Sequence, residues 1–207
     1  MPLILAGATS GSTTLQATDA VTATITLPSA TDTLVGKTTP SFTTTIGVGA
    51  ATPSASGAGI TFPATQSASS NANTLDDYEE GTWTPVVAGL TTAGTGTYTI
   101  QSGSYTKVGR IVTITCTVGW TAHTGTGNMI INAIPFASGN IVTAAEYMNV
   151  PEFLNMTMPA STIPMGLIAN NSSSINLYTS AVGTGVLSSL AMDSAASIYM
   201  SITYQTA

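Results

Sequence analysis

The chain has 207 residues, of which nine are acidic and three basic, so its charged fraction is 6% and its formal net charge is −6. Average soluble domains carry about 25% charged residues. Three basic residues cannot build the positive patch that binds phosphates, which argues against a nucleic-acid partner. A single cysteine excludes an internal disulfide.

Hydroxyl groups take the place of charge on this chain, since about one residue in five is threonine. Threonine suits a half-exposed strand better than a helix, and 20 glycines and 10 prolines supply turns, so the composition predicts an all-β protein. Mean hydropathy is +0.34, yet no run of about 18 apolar residues offers a membrane span. Apolar surface is instead expected to be buried between the subunits of an oligomer.

The N-terminal part of the chain lacks the hydrophobic content of an independent domain. Residues 1–37 contain one alternating run, VTATITL, and the opening MPLILAG lacks the basic region of a secretory signal, so synthesis in the cytoplasm is expected. Residues 38–74 are mainly Ser, Thr, Ala, Gly and Pro. Such a segment cannot offset the entropy of its own ordering. It is either a flexible linker or a stalk in which several chains wrap around each other.

The stretch NTLDDYEEGTW, residues 73–83, concentrates four of the nine acidic residues: Asp76, Asp77, Glu79 and Glu80. Carboxylates could bind Ca²⁺, although the D-x-[DN]-x-[DN]-G spacing is missing. The favoured interpretation is a junction, in which the carboxylates solvate an exposed turn between a neutral stalk and a β-domain. Tyr78 and Trp83 would supply apolar contacts that fix the first strand on the core. In a trimer, these carboxylates would crowd at one level, so the chains would splay there or take up cations.

From residue 80 onward, short alternating runs recur between turn residues. Residues 143–158 interrupt this pattern and predict a long loop with one helical turn. An antiparallel β-sandwich or jelly roll over residues 75–207 is expected. The predicted strands are TWTPVVAGL, NMIINAIPF, IPMGLIA, SINLYTS and SIYMSITYQ, together with GTYTIQSGSYTKVG as a hairpin turning at Ser102 and Gly103.

The run RIVTITCTVGW, residues 110–120, is the clearest strand. Its even positions are apolar and include Cys116 and Trp120, while threonines alternate with them. Both residues are therefore predicted to face the core. No neighbouring cation would lower the pKa of the Cys116 thiol, which favours an inert, buried cysteine.

The sequence offers no constellation of catalytic or metal-binding residues. Its one histidine, His123, lies in the glycine-flanked WTAHTGTG and is expected to be a solvated loop residue. One histidine and one cysteine are too few for a metal site built on these residue types, and no G-x-S-x-G motif is present. The chain is therefore predicted to be non-enzymatic and to use no cofactor.

The segments LDDYEEGTWTP, YTIQSGSYTKVGRIVTITCTV and AIPF together resemble a module of structural appendage proteins of tailed bacteriophages. The leader at residues 8–37 is similar to the repetitive N-terminal region of phage fibre proteins. The resemblance implies a virion structural protein, commonly trimeric, in which an N-terminal segment docks on other virion proteins of the head or tail. A short fibre or a decoration protein is expected.

Three segments follow from the resemblance and the composition together: a docking segment at 1–37, a connector or stalk at 38–74 and a β-domain at 75–207. The alternative is a module that binds a host receptor or surface glycan. In that case Trp, Tyr and Asn side chains on the distal loops of the β-domain would hold the sugar.

Overall fold

The computed structural model divides the chain into two compact units, Met1–Ser41 and Phe42–Ala207. In the first unit, the described part is an antiparallel hairpin of β1 (Leu3–Ala6) and β2 (Ser12–Leu15). The rest of the expected docking segment, including the run at 21–27, lies outside the described residues. The structure describes residues 3–6, 12–15, 45–53, 56–66, 69–71, 73–140 and 146–206.

The second unit consists of strands joined by turns, and no helix occurs among its described residues. The described part of the chain therefore contains no helix that could cross a membrane. The strands are β3 (Thr45–Gly47), β4 (Gly59–Thr61), β5 (Tyr78–Trp83), β6 (Val86–Gly89), β7 (Gly96–Val108), β8 (Ile111–His123), β9 (Met129–Asn132), β10 (Glu146–Asn149), β11 (Glu152–Leu154), β12 (Thr162–Ile168), β13 (Ser174–Ala181), β14 (Leu187–Ser189) and β15 (Ala196–Gln205).

Two antiparallel sheets form the β-domain. One has five strands in the order β11-β15-β8-β7-β5, and the other has six, in the order β10-β12-β13-β9-β6 with β14 paired to β13. Inward side chains of both sheets belong to one hydrophobic core. The prediction of an all-β chain with antiparallel sheets is confirmed, whereas a jelly-roll strand order and a trimer stay predictions. In the connector, β3 and β4 form a short parallel pair.

Strands β8 and β15 supply one wall of the core. Their register pairs Cys116 with Met200 and Val118 with Ile198, and these side chains are buried. Thr113 and Thr115, which alternate with them on β8, are exposed. The alternation in the sequence thus predicted the burial of this strand correctly, because successive side chains point to opposite faces of a sheet.

The expected hairpin at Ser102 and Gly103 is wrong. Both residues lie inside the single long strand β7, and the chain turns later, at Gly109 and Arg110. Gly109 has a φ of +56°, which suits the first central residue of a two-residue hairpin loop. Gly103 serves packing instead, because a Cβ at this position would overlap the indole of Trp83.

The expected loop at 143–158 is also wrong in part. Residues 141–145 lie outside the described part of the chain, but β10 and β11 follow as short strands, one in each sheet. Met148 on β10 is buried and Phe153 on β11 packs on the core. Each of these strands has only three or four residues, which is too short for an alternation of apolar and polar residues to be recognised in the sequence.

Candidate functional site

The acidic residues of the junction lie at the start of β5 and point in different directions. Glu79 is on the inward side of the strand and pairs across the sheet with Lys107, while Glu80 is exposed on the outward side. Asp77, which precedes the strand, is buried. The prediction that the junction carboxylates lie in an exposed turn is therefore wrong for Asp77. Strand β5 begins immediately after Asp77, and the Asp77 side chain is buried at the edge of the sheet.

Asp77 and Lys107 form a buried ion pair. Their side chains are only 7% and 4% exposed, and Lys107 Nζ donates to Asp77 Oδ2. The same ammonium donates to Gln66 Oε1 over 3.2 Å and lies 5.5 Å from the ring centre of Phe136. One of three basic side chains is thus enclosed by a carboxylate, an amide oxygen and an aromatic face, all of which stabilise its charge.

Asp76 connects the same region to the connector. The backbone amide of Ser69 donates to Asp76 Oδ2 over 2.7 Å, and Gln66 Nε2 donates to Oδ1 over 3.4 Å. The bond from Ser69 is the main cause of a lowered pKa for Asp76. The amide of Gln66 thus bridges Asp76 and Lys107. We call Gln66, Asp76, Asp77 and Lys107 the junction clamp, since they tie the connector to the β-domain.

A cleft of about 500 Å³ opens beside the junction clamp. At its rim, Tyr105 donates a 2.6 Å hydrogen bond to Glu79, which raises the pKa of the Tyr105 hydroxyl. The Tyr105 and Phe136 rings meet edge to face with their centroids 5.3 Å apart. Within the cleft, Lys107 binds both Gln66 and Asp77, which is the arrangement of a structural joint. The cleft is lined by Ala64, Thr65, Gln66, Asp77, Glu79, Lys107, Pro135, Phe136, Ala137 and Thr206.

Tyr78 and Trp83 lie on opposite faces of β5, because five positions separate them. Trp83 is buried against Gly103 and donates from Nε1 to the Thr115 carbonyl over 3.2 Å. Tyr78 is 41% exposed, so the expected core contact of Tyr78 is wrong. Its hydroxyl donates to Glu80, which raises its pKa, and its ring lies against Phe62 of the connector at 6.4 Å.

The four junction carboxylates do not converge on one point. Asp76, Asp77 and Glu79 each accept a hydrogen bond from a different part of the chain, and Glu80 projects from the opposite face of the sheet. Among the described residues, no group of three or more His, Cys, Asp or Glu side chains could hold a metal ion. The geometry of the junction therefore gives no support to the calcium interpretation.

The three other singled-out residues lie in or next to the core. Cys116 and Trp120 are buried on β8, and Trp120 Nε1 donates to the Asp193 carbonyl over 3.0 Å. His123 was expected to be solvated, but it is half-buried at the end of β8. Gly125 N donates to His123 Nδ1 over 2.9 Å, which leaves Nε2 to donate to the Val87 carbonyl at 3.0 Å. His123 therefore joins the two sheets at this end of the domain.

Burial raises the pKa of the Cys116 thiol from 9.0 to about 12. The unfolded chain therefore releases this proton at lower pH than the folded chain, so the free energy of unfolding should fall between pH 9 and 12, by up to about 1.4 kcal/mol per pH unit. Urea unfolding at several pH values should show a shallower decline for Cys116→Ala than for the wild type. Val112→Ala, an equally buried deletion without a titrating group, should lower stability at every pH and keep the wild-type slope. Equal slopes for all three proteins would contradict this assignment.

Hydroxyl groups cover the middle of the outer face of the five-stranded sheet, and exposed apolar side chains such as Ile100, Val108 and Leu154 lie toward its ends and edges. Cross-strand hydrogen bonds join Ser104 to Thr115 over 2.8 Å and Thr113 to Thr203 over 2.9 Å. We call this surface the hydroxyl face. Its members are Thr82, Ser102, Ser104, Thr106, Thr113, Thr115, Thr117, Ser201 and Thr203.

A shallow trough of about 370 Å³ lies in the hydroxyl face. It follows β7, where the outward residues Ser102 and Ser104 are smaller than the threonines of the neighbouring strands. Tyr199 on β15 borders the trough and is 36% exposed, and the register pairs it with Glu152 on β11. The sequence did not reveal this grouping of an aromatic ring, a carboxylate and hydroxyls, because its members come from five strands spread along the chain.

Comparisons with known proteins give a likeness in structure but none in family or sequence. No protein-family model and no curated protein matches the chain. The crystal structure of the Dettilon tailspike protein is similar to 62% of this chain, with a TM-score of 0.50 and 23% sequence identity. The two proteins share a fold over this part. The match spans 24% of the tailspike chain, and at this identity it describes the fold alone.

Proposed function

We propose that the chain is a non-enzymatic structural protein of a tailed-phage virion, a trimeric short fibre or a decoration protein of the head or tail. In this proposal residues 1–37 dock on other virion proteins and the β-domain projects from the particle. The observation that carries the proposal is the junction clamp, which fixes the connector to the β-domain by side-chain bonds. The likeness in fold to part of a phage tailspike supports the same class of protein.

The clamp suits a structural protein in which a projecting domain is held in a fixed position by the segment that docks. A buried ion pair has little freedom, because separating Lys107 from Asp77 would leave two charges in a poorly solvated place. Gln66 extends this rigidity into the connector through both ends of its amide. A chain with only twelve charged residues thus uses several of them to hold the joint.

A particle-binding experiment tests the proposal. Particles of a phage that normally carries the chain are produced without it and mixed with purified full chain or with a variant that lacks residues 1–37. The full chain should co-sediment with the particles and the shortened variant should stay in the supernatant. Equal attachment of both would refute the docking role of residues 1–37, and absence of the chain from wild-type particles by mass spectrometry would refute the virion role.

The alternative function, binding of a surface glycan, has one observation in its favour. The trough on the hydroxyl face combines an exposed tyrosine ring with hydroxyls and a nearby carboxylate, groups that can stack on a sugar ring and bond its hydroxyls. The trough lies on a sheet face, whereas the sequence led us to expect such a site on distal loops. Its lining carries no charge, so the glycan it fits is a neutral one.

A glycan array with the full chain tests this alternative. If it is correct, neutral polysaccharides bind, and Tyr199→Ala lowers the affinity at least tenfold by removing the stacking ring. Tyr78→Ala is the matched control, since Tyr78 is an exposed tyrosine of the same sheet outside the trough. Binding that responds equally to both substitutions, or no binding at all, would leave the structural role as the better account.

A further inference from the structure

The outer face of the six-stranded sheet is mainly apolar, whereas on the other sheet hydroxyl groups occupy the middle of the outer face and exposed apolar side chains lie at its ends and edges. Its cross-strand register brings eight large apolar side chains to one surface, and none of them is buried. Tyr147 is 56% and Ile163 46% exposed. We call this surface the apolar face. Its members are Val86, Ile130, Tyr147, Ile163, Met165, Leu167, Tyr178 and Leu187.

The apolar face carries no charge among its described side chains. Its described polar members are the amides of Asn132 and Asn176 and the hydroxyls of Ser174, Ser180 and Ser189. The hydroxyl face differs in this respect, because its two edge strands present the exposed carboxylates Glu80 and Glu152. The two broad surfaces of the domain are therefore unequal: one is mainly apolar with no charge among its described side chains, and the other is mostly polar with acidic edges.

We infer that the apolar face is the surface on which a second copy of this chain binds. Nine acidic and three basic residues leave two copies with almost no opposite charges to offer each other. Contact between copies is therefore most favourable where neither presents a carboxylate, since like charges brought together in an interface cost binding free energy. A basic partner would gain more from the acidic edges of the hydroxyl face than from the neutral apolar face.

Composition supports the same occupant. A stable pair of proteins buries about 800 Å² on each partner, with tyrosine and methionine enriched and charged residues depleted at the centre. The apolar face combines two tyrosines, a methionine and five aliphatic side chains over all six strands of the sheet. A single chain that left this surface in water would expose a large apolar patch with little net charge nearby to oppose association.

The inference rests on the proposed assembly of several copies and adds the surface through which they meet. It concerns the β-domain alone, whereas the attachment experiment concerns residues 1–37. A chain that attaches to particles but stays monomeric in solution would overturn the interface and leave the docking role intact. A chain that associates through the apolar face but never attaches to particles would overturn the docking role and leave the interface intact.

Sedimentation velocity of the full chain over a range of concentrations tests the interface. The wild type should sediment as an oligomer, and Ile163→Glu should weaken self-association at least tenfold by placing a carboxylate in the contact. Ile163→Val should keep the wild-type mass. The matched control is Ser201→Glu, which introduces the same charge at an exposed position of the hydroxyl face and should also keep the oligomer.

A second variant keeps the test decisive if Ile163→Glu fails to fold, as judged by circular dichroism. Tyr147→Glu lies on the edge strand β10, where an exposed side chain can be replaced with little effect on the core. Retention of the wild-type mass by folded Ile163→Glu or, where that variant does not fold, by folded Tyr147→Glu would overturn the inference. A wild-type chain that is monomeric, even one that binds another protein, would also overturn it. Dissociation of the oligomer by Ser201→Glu but not by the substitutions on the apolar face would overturn it as well.

Discussion

Lys107→Met should lower the free energy of unfolding by about 3–5 kcal/mol, the usual cost of leaving one partner of a buried ion pair without the other. The substitution keeps the aliphatic stem of Lys107 but leaves the Asp77 carboxylate buried without its cation. It also removes the donor to Gln66 and the cation over Phe136. Urea unfolding followed by tryptophan fluorescence would report the change, since Trp83 lies on the same strand pair.

Two further variants separate the ion pair from a general effect of lost charge. Arg110→Met removes a basic side chain at the exposed turn after β7 and should change stability by less than about 0.5 kcal/mol. The double variant Asp77→Asn with Lys107→Met should recover most of the loss, because no buried charge then lacks a partner. A double variant no more stable than Lys107→Met alone would show that packing, and not charge, accounts for the effect.

The sequence predicted those parts of the fold that depend on alternation alone. Strand β8 and strand β15 bury one face of an antiparallel sheet, so the period of two between apolar and polar residues is directly readable. The long strand β7 was misread as a hairpin because Ser102 and Gly103 form a typical turn pair. Their position inside the strand depends on the Trp83 indole, which needs the space above Gly103. That requirement comes from another strand and leaves no local signal.

The junction was recognised as a place of concentrated charge, but its partners were not. Asp77 and Lys107 are 30 positions apart, and Gln66 reaches Lys107 and Asp76 from the connector. Reading 96–108 as one strand would have placed Gly103, Tyr105 and Lys107 on one inward face. A lysine on the inward face of a strand signals a buried partner, since an unpaired ammonium is too costly to bury. The error in the turn thus concealed the ion pair.

The second large effect concerns Cys116, which β8 places on the inward face beside β15. Cys116→Asp should destabilise the protein by about 4 kcal/mol or more at neutral pH, because the new carboxylate has neither water nor a cation. Native proteins are commonly stable by only about 5–15 kcal/mol. We therefore expect little folded protein, measured as the yield of the chain in the unaggregated fraction and by its strand signal in circular dichroism.

Thr115→Asp is the matched control, since it places the same group one residue away on the exposed face of the same strand. It should fold and should lose no more than about 1 kcal/mol, part of it from the hydrogen bond to Ser104. Acid also discriminates between the two variants. Burial raises the pKa of a carboxyl at position 116, so lowering the pH toward 5 neutralises it and should restore part of the stability of Cys116→Asp. If Cys116→Asp folds and Thr115→Asp does not, the inward and outward faces of β8 are assigned the wrong way round. The core wall, the hydroxyl face and the trough would then have to be reassigned together, because one register fixes all three.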